Sequence, residues 1–179
     1  LSSQSYKLSG IVNGIDTKIY DPSKAMFPFK PSDLSGKLKT KKALLERLGL
    51  DNDSSAPLII MISRLAEHKG FELLQYIGEE MINSTNIRLA VLGTGEKKYE
   101  DYVNYLTYIF PGRVSANIMF DTGLADFMYA GADFLLMPSK SEPCGLSQLI
   151  AMRYGTIPIV RETGGLVDTV PPINNDTLE

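Results

Sequence analysis

The sequence predicts an α/β fold in which helices cover both faces of a doubly wound, Rossmann-like parallel sheet. Two observations lead to this prediction. Short apolar runs such as residues 58–62 and 132–137 have the length of parallel strands that are buried on both faces. Segments with helical periodicity alternate with these runs, and short loops connect them. The chain has 179 residues, 44% hydrophobic and 22% charged, which is enough for one core, so we expect one domain.

The first 36 residues are expected to form an entry segment and a loop outside the sheet. Residues 8–12 indicate a short strand that enters a turn at Asn13-Gly14, because these two residues tolerate a positive φ. Residues 21–36 contain three prolines and little periodicity, which favours an irregular loop.

A predicted core spans residues 37–170, and residues 171–179 form a polar tail. The core begins with a helix at 37–48, which Gly49 ends. Its apolar positions are Leu38, Leu44, Leu45 and Leu48. Its lysines allow a basic binding face, but a solvated helix face is the simpler interpretation. These lysines are Lys37, Lys39, Lys41 and Lys42.

The remaining elements alternate as a doubly wound sheet requires. The predicted strands span residues 58–62, 87–92, 114–120, 132–137 and 157–160. The predicted helices span about 71–81, 97–110, 124–130 and 145–154, with a last helical turn around Val167. The first two of these helices are inferred from apolar positions at Phe71, Leu74, Ile77 and Met81, and at Tyr102, Leu106 and Ile109.

The loop that follows the strand at 132–137 is the first candidate for a functional site. A strand, loop and helix in this order bring unpaired backbone N–H groups to the carboxyl edge of the sheet, where they can bind phosphate. Glu142 lies in the same loop, and Pro143 restricts it to an extended conformation. We expect a site for a ligand that carries both phosphate and hydroxyl groups.

Two basic residues follow the strand at 58–62 and are expected at the same edge. Arg64 offers a planar fork of donors and Lys69 a compact cation, a combination suited to a diphosphate that gains charge as it leaves. A purely structural interpretation is that Arg64 caps its own loop and that Lys69 is merely exposed. For Glu142, the structural alternative is a surface carboxylate neutralised by Lys140.

Composition excludes several classes of function. A net charge of −3 provides no general field for nucleic acid or an anionic membrane. No apolar run approaches the ~20 residues that span a bilayer. One cysteine, Cys144, and one histidine, His68, give no basis for a metal site or a thiol mechanism. Gly93-Thr-Gly95 lacks the third glycine of a dinucleotide-binding loop, because Lys98 stands there.

Four segments of the chain, in order, are similar to one protein family. They are GIVNGIDTKIYDP (10–22), DLSGKLKTKKALLERLGL (33–50), SRLAEHKG (63–70), and EPCGLSQL (142–149) with AMRYGTIPIVRETGGLVDTV (151–170). Together they resemble the C-terminal, nucleotide-sugar-binding domain of bacterial glycogen synthases and plant starch synthases. Those enzymes are retaining glucosyltransferases of the two-domain GT-B architecture, and the resemblance covers nearly the whole chain.

The resemblance implies a role for each candidate residue. Arg64 and Lys69 would bind the pyrophosphate of the donor, and Glu142 would hydrogen-bond the hydroxyls of its glucose. The backbone N–H groups of the adjoining loop would hold phosphate; this loop consists of Cys144, Gly145, Leu146 and Ser147. The turn formed by Thr163, Gly164 and Gly165 would lie close to the donor sugar in a secondary role.

The resemblance also implies the substrates. The donor would be ADP-glucose, with UDP-glucose second, the acceptor an α-1,4-glucan, and no cofactor or metal would be needed. The N-terminal domain that carries the acceptor site is not expected in this chain, so we expect the chain alone to bind donor weakly and not to transfer glucose. The expected location is intracellular, in a bacterial cytoplasm or a plant or algal plastid.

Two alternatives stay open at this point. One is a related glycosyltransferase with another acceptor, such as sucrose or a lipid-linked sugar. The other is a non-catalytic nucleotide-binding module with a flavodoxin-like sheet. Two positions also depart from the pattern of many related enzymes: Ile150 replaces a glutamate that contacts ribose, and Asp126 stands where histidine or another polar group is common.

Overall fold

The computed structural model describes residues 6–7 and 9–173 and contains a five-stranded parallel sheet. Its strands are β1 (Leu58–Ile62), β2 (Arg88–Leu92), β3 (Val114–Asn117), β4 (Phe134–Met137) and β5 (Ile157–Val160). Their order in the sheet is β3-β2-β1-β4-β5. The chain winds outward from β1 to β3 and then returns to β4 beside β1, so the crevice between β1 and β4 is the topological switch point. This arrangement confirms the predicted fold class.

Helices cover both faces of the sheet. They are α1 (Ser35–Arg47), α2 (Phe71–Ser84), α3 (Lys97–Ile109), α4 (Thr122–Gly131), α5 (Ser147–Arg153) and α6 (Gly165–Thr169). Alternate residues of β1 belong to different cores: Ile60 packs with the residues of α1, α4 and α5, whereas Met61 packs with those of α2 and α3. Both faces of the central strands are therefore buried, as their continuous apolar sequence predicts. No helix within the described residues is long and apolar enough to cross a membrane.

Several predicted boundaries need correction. Residues 9–12 form no strand, and Ile11 is 96% exposed, whereas residue 8 lies outside the described residues. The strand predicted at 114–120 ends at Asn117. The helix predicted from Gly145 begins at Ser147, because the φ of +75° at Gly145 is incompatible with a right-handed helix.

The predicted solvated face of α1 is wrong for two lysines. The Nζ of Lys37 donates to the carbonyl oxygens of Ala130 and Tyr154, which lie at the ends of α4 and α5. The Nζ of Lys41 lies 2.6 Å from Oδ2 of Asp133. Helix ends leave carbonyl groups without partners, and the long aliphatic stems of lysine let buried ammonium groups reach them. Leu38, one of the apolar positions from which this helix was predicted, is 57% exposed.

Candidate functional site

Two loops at the carboxyl edge of the sheet are held tightly together. The loop after β1 ends in a short 3-10 helix, Glu67–Lys69, and the backbone N–H of Lys140 in the loop after β4 donates to the carbonyl of His68 at 2.8 Å. Gly70 follows at φ +81°, and a Cβ added there would lie 2.1 Å from the carbonyl oxygen of Pro138. Only glycine allows this approach, which brings the end of the 3-10 helix against the second loop.

The loops after β1 and β2 are joined in a similar way. The N–H of Leu65 donates to the carbonyl of Thr94, and the N–H of Glu96 donates to the carbonyl of Leu65. A Cβ on Gly93 would lie 1.9 Å from the carbonyl oxygen of Ser63, and one on Gly95 2.0 Å from that of Leu65. The absence of a side chain at these two glycines thus allows the two loops to approach each other this closely.

The tight contact between the first two loops places Lys69 beside Glu142. Their Nζ and Oε2 atoms are 2.6 Å apart, and their side chains are only 22% and 10% exposed. The hydroxyl of Ser139 donates to the same carboxylate oxygen at 3.3 Å. Lys140, considered above as the partner of Glu142, pairs instead with Glu67 and Glu72. The carboxylate of Glu142 is therefore held by Lys69 and Ser139.

This pair lies in a cavity of about 310 Å³ at the switch point between β1 and β4. Three of the predicted loop residues also line the cavity: Gly145, Leu146 and Ser147. The fourth, Cys144, is half-buried and is not part of the lining. Within the described chain, the backbone N–H groups of residues 144–147 have no protein acceptor. The cavity thus combines a cation, a carboxylate and backbone donors that a ligand can use.

The predicted turn at Thr163, Gly164 and Gly165 contacts the main chain of the loop that carries Glu142. The N–H of Gly165 donates to the carbonyl of Glu142 at 2.9 Å, and the hydroxyl of Thr163 donates to the carbonyl of Lys140 at 3.3 Å. A Cβ on Gly164 would lie 2.1 Å from the carbonyl oxygen of Glu142. None of the three residues lines the cavity of Lys69 and Glu142.

Arg64 lines a second cavity of about 350 Å³, which shares Ile62 and Ser63 with the first. Its side chain is exposed and takes part in none of the ion pairs found within the described residues. At the rim of this second cavity, Phe120 is 89% exposed and Met119 is 46% exposed. Neither rim residue was predicted as a site residue, because the apolar pattern of residues 114–120 indicates the end of a strand there.

The remaining candidates lie elsewhere. Ile150, on α5, is buried in the core. Asp126, on α4, lines a separate cavity, where burial raises the pKa of its carboxyl group. Within residues 6–7 and 9–173, no three histidine, cysteine, aspartate or glutamate side chains cluster as metal ligands would.

A doubly wound sheet with a charged cavity at its switch point defines an α/β domain whose candidate ligand site lies at the carboxyl edge of the sheet. The family model described as "Glycosyl transferases group 1" matches residues 46–177. The chain therefore belongs to this family of glycosyltransferases.

Within the family, the chain is similar to glycogen synthases. It is 53% identical to glycogen synthase of Streptococcus uberis over 96% of this chain and 36% of that protein. The identity to glycogen synthase of Clostridium novyi is 50% over 100% of this chain and 38% of that protein. The resemblance inferred from the four sequence segments is confirmed, and the chain spans a little over a third of the length of these relatives.

Solved structures agree with this assignment. The catalytic domain of starch synthase IV from Arabidopsis thaliana, bound to ADP and acarbose, matches with a TM-score of 0.89 and 36% identity. That match covers 99% of this chain and 37% of the other. An Anabaena protein in complex with UDP and glucose matches at 20% identity with a TM-score of 0.64 over 93% of this chain and 41% of that one, which shows a common fold.

Proposed function

We propose that this chain is the donor-binding domain of a glycogen or starch synthase. The intact enzyme would transfer glucose from ADP-glucose, or secondarily UDP-glucose, to the non-reducing end of an α-1,4-glucan with retention. The observation that carries the proposal is the pair of Lys69 and Glu142, 2.6 Å apart in a cavity at the switch point. A cation beside a carboxylate suits a ligand in which a diphosphate adjoins a sugar rich in hydroxyl groups.

The binding of a donor would redistribute the contacts of this pair. Without a ligand, Lys69 neutralises the carboxylate of Glu142. With the donor bound, the ammonium group of Lys69 would turn toward the diphosphate, which Arg64 would reach from the neighbouring cavity. Glu142 would then accept hydrogen bonds from the glucose hydroxyls, each worth roughly 1.5–3 kcal/mol because the acceptor is charged.

The chain's contribution to the reaction would be electrostatic. As the glycosidic bond breaks, the sugar becomes oxocarbenium-like and the diphosphate gains negative charge. Once the donor is bound, the cations of Lys69 and Arg64 and the N–H groups of residues 145–147 would already face the diphosphate before its charge develops, so they would favour the transition state over the bound donor.

The second cavity would accommodate the nucleoside. Phe120 offers an exposed aromatic face at its rim, and Arg64 lines the same cavity, which adjoins the cavity of Lys69 at Ile62 and Ser63. Aromatic rings stack on purine and pyrimidine bases alike, worth about 1–3 kcal/mol per base. A nucleotide sugar would then span both cavities, with its diphosphate between Arg64 and Lys69.

Acceptor binding and transfer would require the rest of the enzyme. The glycogen synthases that this chain matches are more than twice its length, since it covers 36–38% of them. An active-site cleft that excludes water has to be enclosed from two sides, and this domain would form the side that binds the nucleotide sugar. We therefore expect weak donor binding and no glucose transfer by this chain alone.

Calorimetric titration of the chain with ADP, UDP and ADP-glucose at low salt tests the proposal. The chain should bind ADP weakly, and Arg64→Ala should lower the affinity by about 10-fold or more, equivalent to at least about 1.4 kcal/mol. Lys42→Ala, which removes an exposed lysine from α1, should leave the affinity unchanged. Absence of binding of all three ligands by the folded chain would contradict a donor site in this domain.

A further inference from the structure

Gln148 forms the centre of a hydrogen-bond network beneath the loop of Glu142. It lies in the first turn of α5, is fully buried and does not line the cavity. Its Nε2 donates to the carbonyl oxygens of Cys144 at 2.9 Å and Gly145 at 3.0 Å, and to the hydroxyl oxygen of Thr169 at 3.0 Å. One side-chain amide thus fixes two consecutive peptide groups of the loop and links them to α6.

The geometry of the peptide bond determines where the N–H groups of this loop point. In a trans peptide, the N–H points opposite to the C=O of the same plane. The carbonyls of Cys144 and Gly145 point to the buried Gln148, so the N–H groups of Gly145 and Leu146 point away from it. Gly145 and Leu146 both line the cavity, and their N–H groups have no protein acceptor within the described chain.

The side-chain oxygen of Gln148, in contrast to its nitrogen, does not stabilise the loop. Its Oε1 is buried and has no hydrogen-bond partner within the described chain. A Cβ on Gly145 would lie 2.4 Å from this oxygen, so the loop approaches Gln148 as closely as glycine permits. An apolar side chain of similar length would avoid the unpaired acceptor. The contribution of Gln148 therefore lies in its two N–H donors.

The same network reaches the backbone of Glu142. The hydroxyl of Thr169, which accepts from Gln148, donates to the carbonyl of Gly165 at 2.7 Å. The N–H of Gly165 in turn donates to the carbonyl of Glu142 at 2.9 Å. Both the N–H groups of the loop and the main chain of Glu142 are thus fixed relative to one buried side chain.

We infer that Gln148 is a positioning residue for donor binding, which holds the N–H groups of Gly145 and Leu146 toward the diphosphate of the nucleotide sugar. The inference rests on the proposed function, because it assumes that the diphosphate occupies this cavity. Gln148 itself does not touch the ligand. Because Gln148 already orders these N–H groups, binding of the nucleotide sugar avoids the entropic cost of ordering them.

NMR of the isotope-labelled chain and of two variants tests this inference. Gln148→Met keeps the length of the side chain and removes both donors. Thr169→Val is the matched control, because it removes a partner of Nε2 and leaves the two loop carbonyls in place. The measurements are the backbone order parameters of Gly145 and Leu146 without ligand, the shifts of their amide protons on addition of ADP or inorganic diphosphate, and the dissociation constants.

In the wild-type chain, we expect order parameters of about 0.85 at both amides, and amide proton shifts with both ligands. Gln148→Met should lower the order parameters toward about 0.6 and weaken the binding of both ligands by about 10-fold. Thr169→Val should keep wild-type order parameters at Gly145 and Leu146. Its affinity for ADP and for diphosphate should stay within about twofold of wild type, because the link that it removes leads to Glu142, which is assigned to the donor sugar.

Two results would overturn the inference while the proposed function stands. One is unchanged order and affinity in Gln148→Met. The other, which needs no variant, is binding of ADP by the wild-type chain without a shift of either amide. If the wild-type chain binds neither ADP nor diphosphate, the proposed donor site fails, and the role of Gln148 fails with it.

Discussion

The Nζ of Lys69 and Oε2 of Glu142 lie 2.6 Å apart, although the two residues are 73 positions apart in the sequence. The contact joins the loops that follow β1 and β4, the two strands on either side of the switch point. Both side chains are largely shielded from water, so removal of one partner alone is expected to cost more than the loss of an exposed ion pair does.

Replacement of Lys69 should destabilise the chain. Lys69→Met leaves the shielded carboxylate of Glu142 with only the hydroxyl of Ser139, so we expect the free energy of unfolding to fall by about 1–3 kcal/mol. The double variant Lys69→Met/Glu142→Gln should be more stable than the sum of the single changes predicts. Urea unfolding of the four proteins measures this coupling, and strict additivity would contradict a direct interaction.

Replacement of Gly164 should affect both stability and the site. It has φ +49° and ψ −136°, and an added Cβ would meet the carbonyl oxygen of Glu142 at 2.1 Å. Gly164→Ala should therefore displace the loop of Glu142, with a loss of more than about 2 kcal/mol of stability and weaker ADP-glucose binding.

Gly155→Ala is the matched control for this change. Gly155 also has a positive φ, +67°, but an added Cβ would meet no atom within 4 Å. Only backbone strain of about 1–2 kcal/mol is expected, with ligand affinity unchanged. Equal effects of the two substitutions on ligand binding would contradict the supporting role of the turn at 163–165.

The buried Lys37 should make stability depend on pH in the alkaline range. Burial lowers the pKa of Lys37 from 10.5 to about 8, although nearby Asp133 acts to raise it. Between these two pH values the unfolded chain binds more protons at this site than the folded chain, so the contribution of Lys37 to stability rises with pH.

Comparison with Lys37→Met isolates this effect. The stability of the wild type relative to this variant should increase between pH 8 and 10.5 by up to about 3 kcal/mol. Lys42→Met, at an exposed position of the same helix, should show no such trend. Denaturant unfolding at several pH values provides the data, and a difference that stays flat or falls with pH would exclude a lowered pKa at Lys37.

Phe120 should distinguish a nucleotide from a bare diphosphate. Because its ring is 89% exposed, Phe120→Ala should change the free energy of unfolding by less than about 0.5 kcal/mol. The binding free energy of ADP should become less favourable by about 1–3 kcal/mol, whereas that of inorganic diphosphate should not change. Tyr108→Ala, at an 84% exposed ring on α3, is the control. An equal loss for both ligands would remove Phe120 from the nucleoside site.

The strands and the candidate loop could be predicted from the sequence because their signals are local. A run such as Leu58–Ile62 shows its burial in its own composition. The order of strand, loop and helix around Glu142 indicates the position of the loop at the edge of the sheet. The family resemblance then supplied candidate roles that the bare pattern could not.

The rest depends on contacts between distant residues. The burial of Lys37 and Lys41 was missed because a charged residue in a helical pattern indicates solvent. In the folded chain Lys37 donates to carbonyl groups at the ends of α4 and α5, and Lys41 donates to the carbonyl group of Ala56, just before β1. The contact of Lys69 with Glu142 depends on the close approach of Gly70 to Pro138, which no local pattern predicts. The contacts of Gln148 with the carbonyl groups of Cys144 and Gly145 likewise form only when the chain is folded.

The most direct test of the account compares ADP and ADP-glucose binding in Glu142→Gln by calorimetry, with Glu72→Gln as an exposed control. The change removes a charged acceptor for the sugar hydroxyls, so we predict that the affinity for ADP-glucose falls by about 10-fold or more. The affinity for ADP should stay the same or rise, because a negative charge beside the diphosphate is lost. Equal losses for both ligands, or no loss for either, would contradict the assignment of Glu142 to the donor sugar.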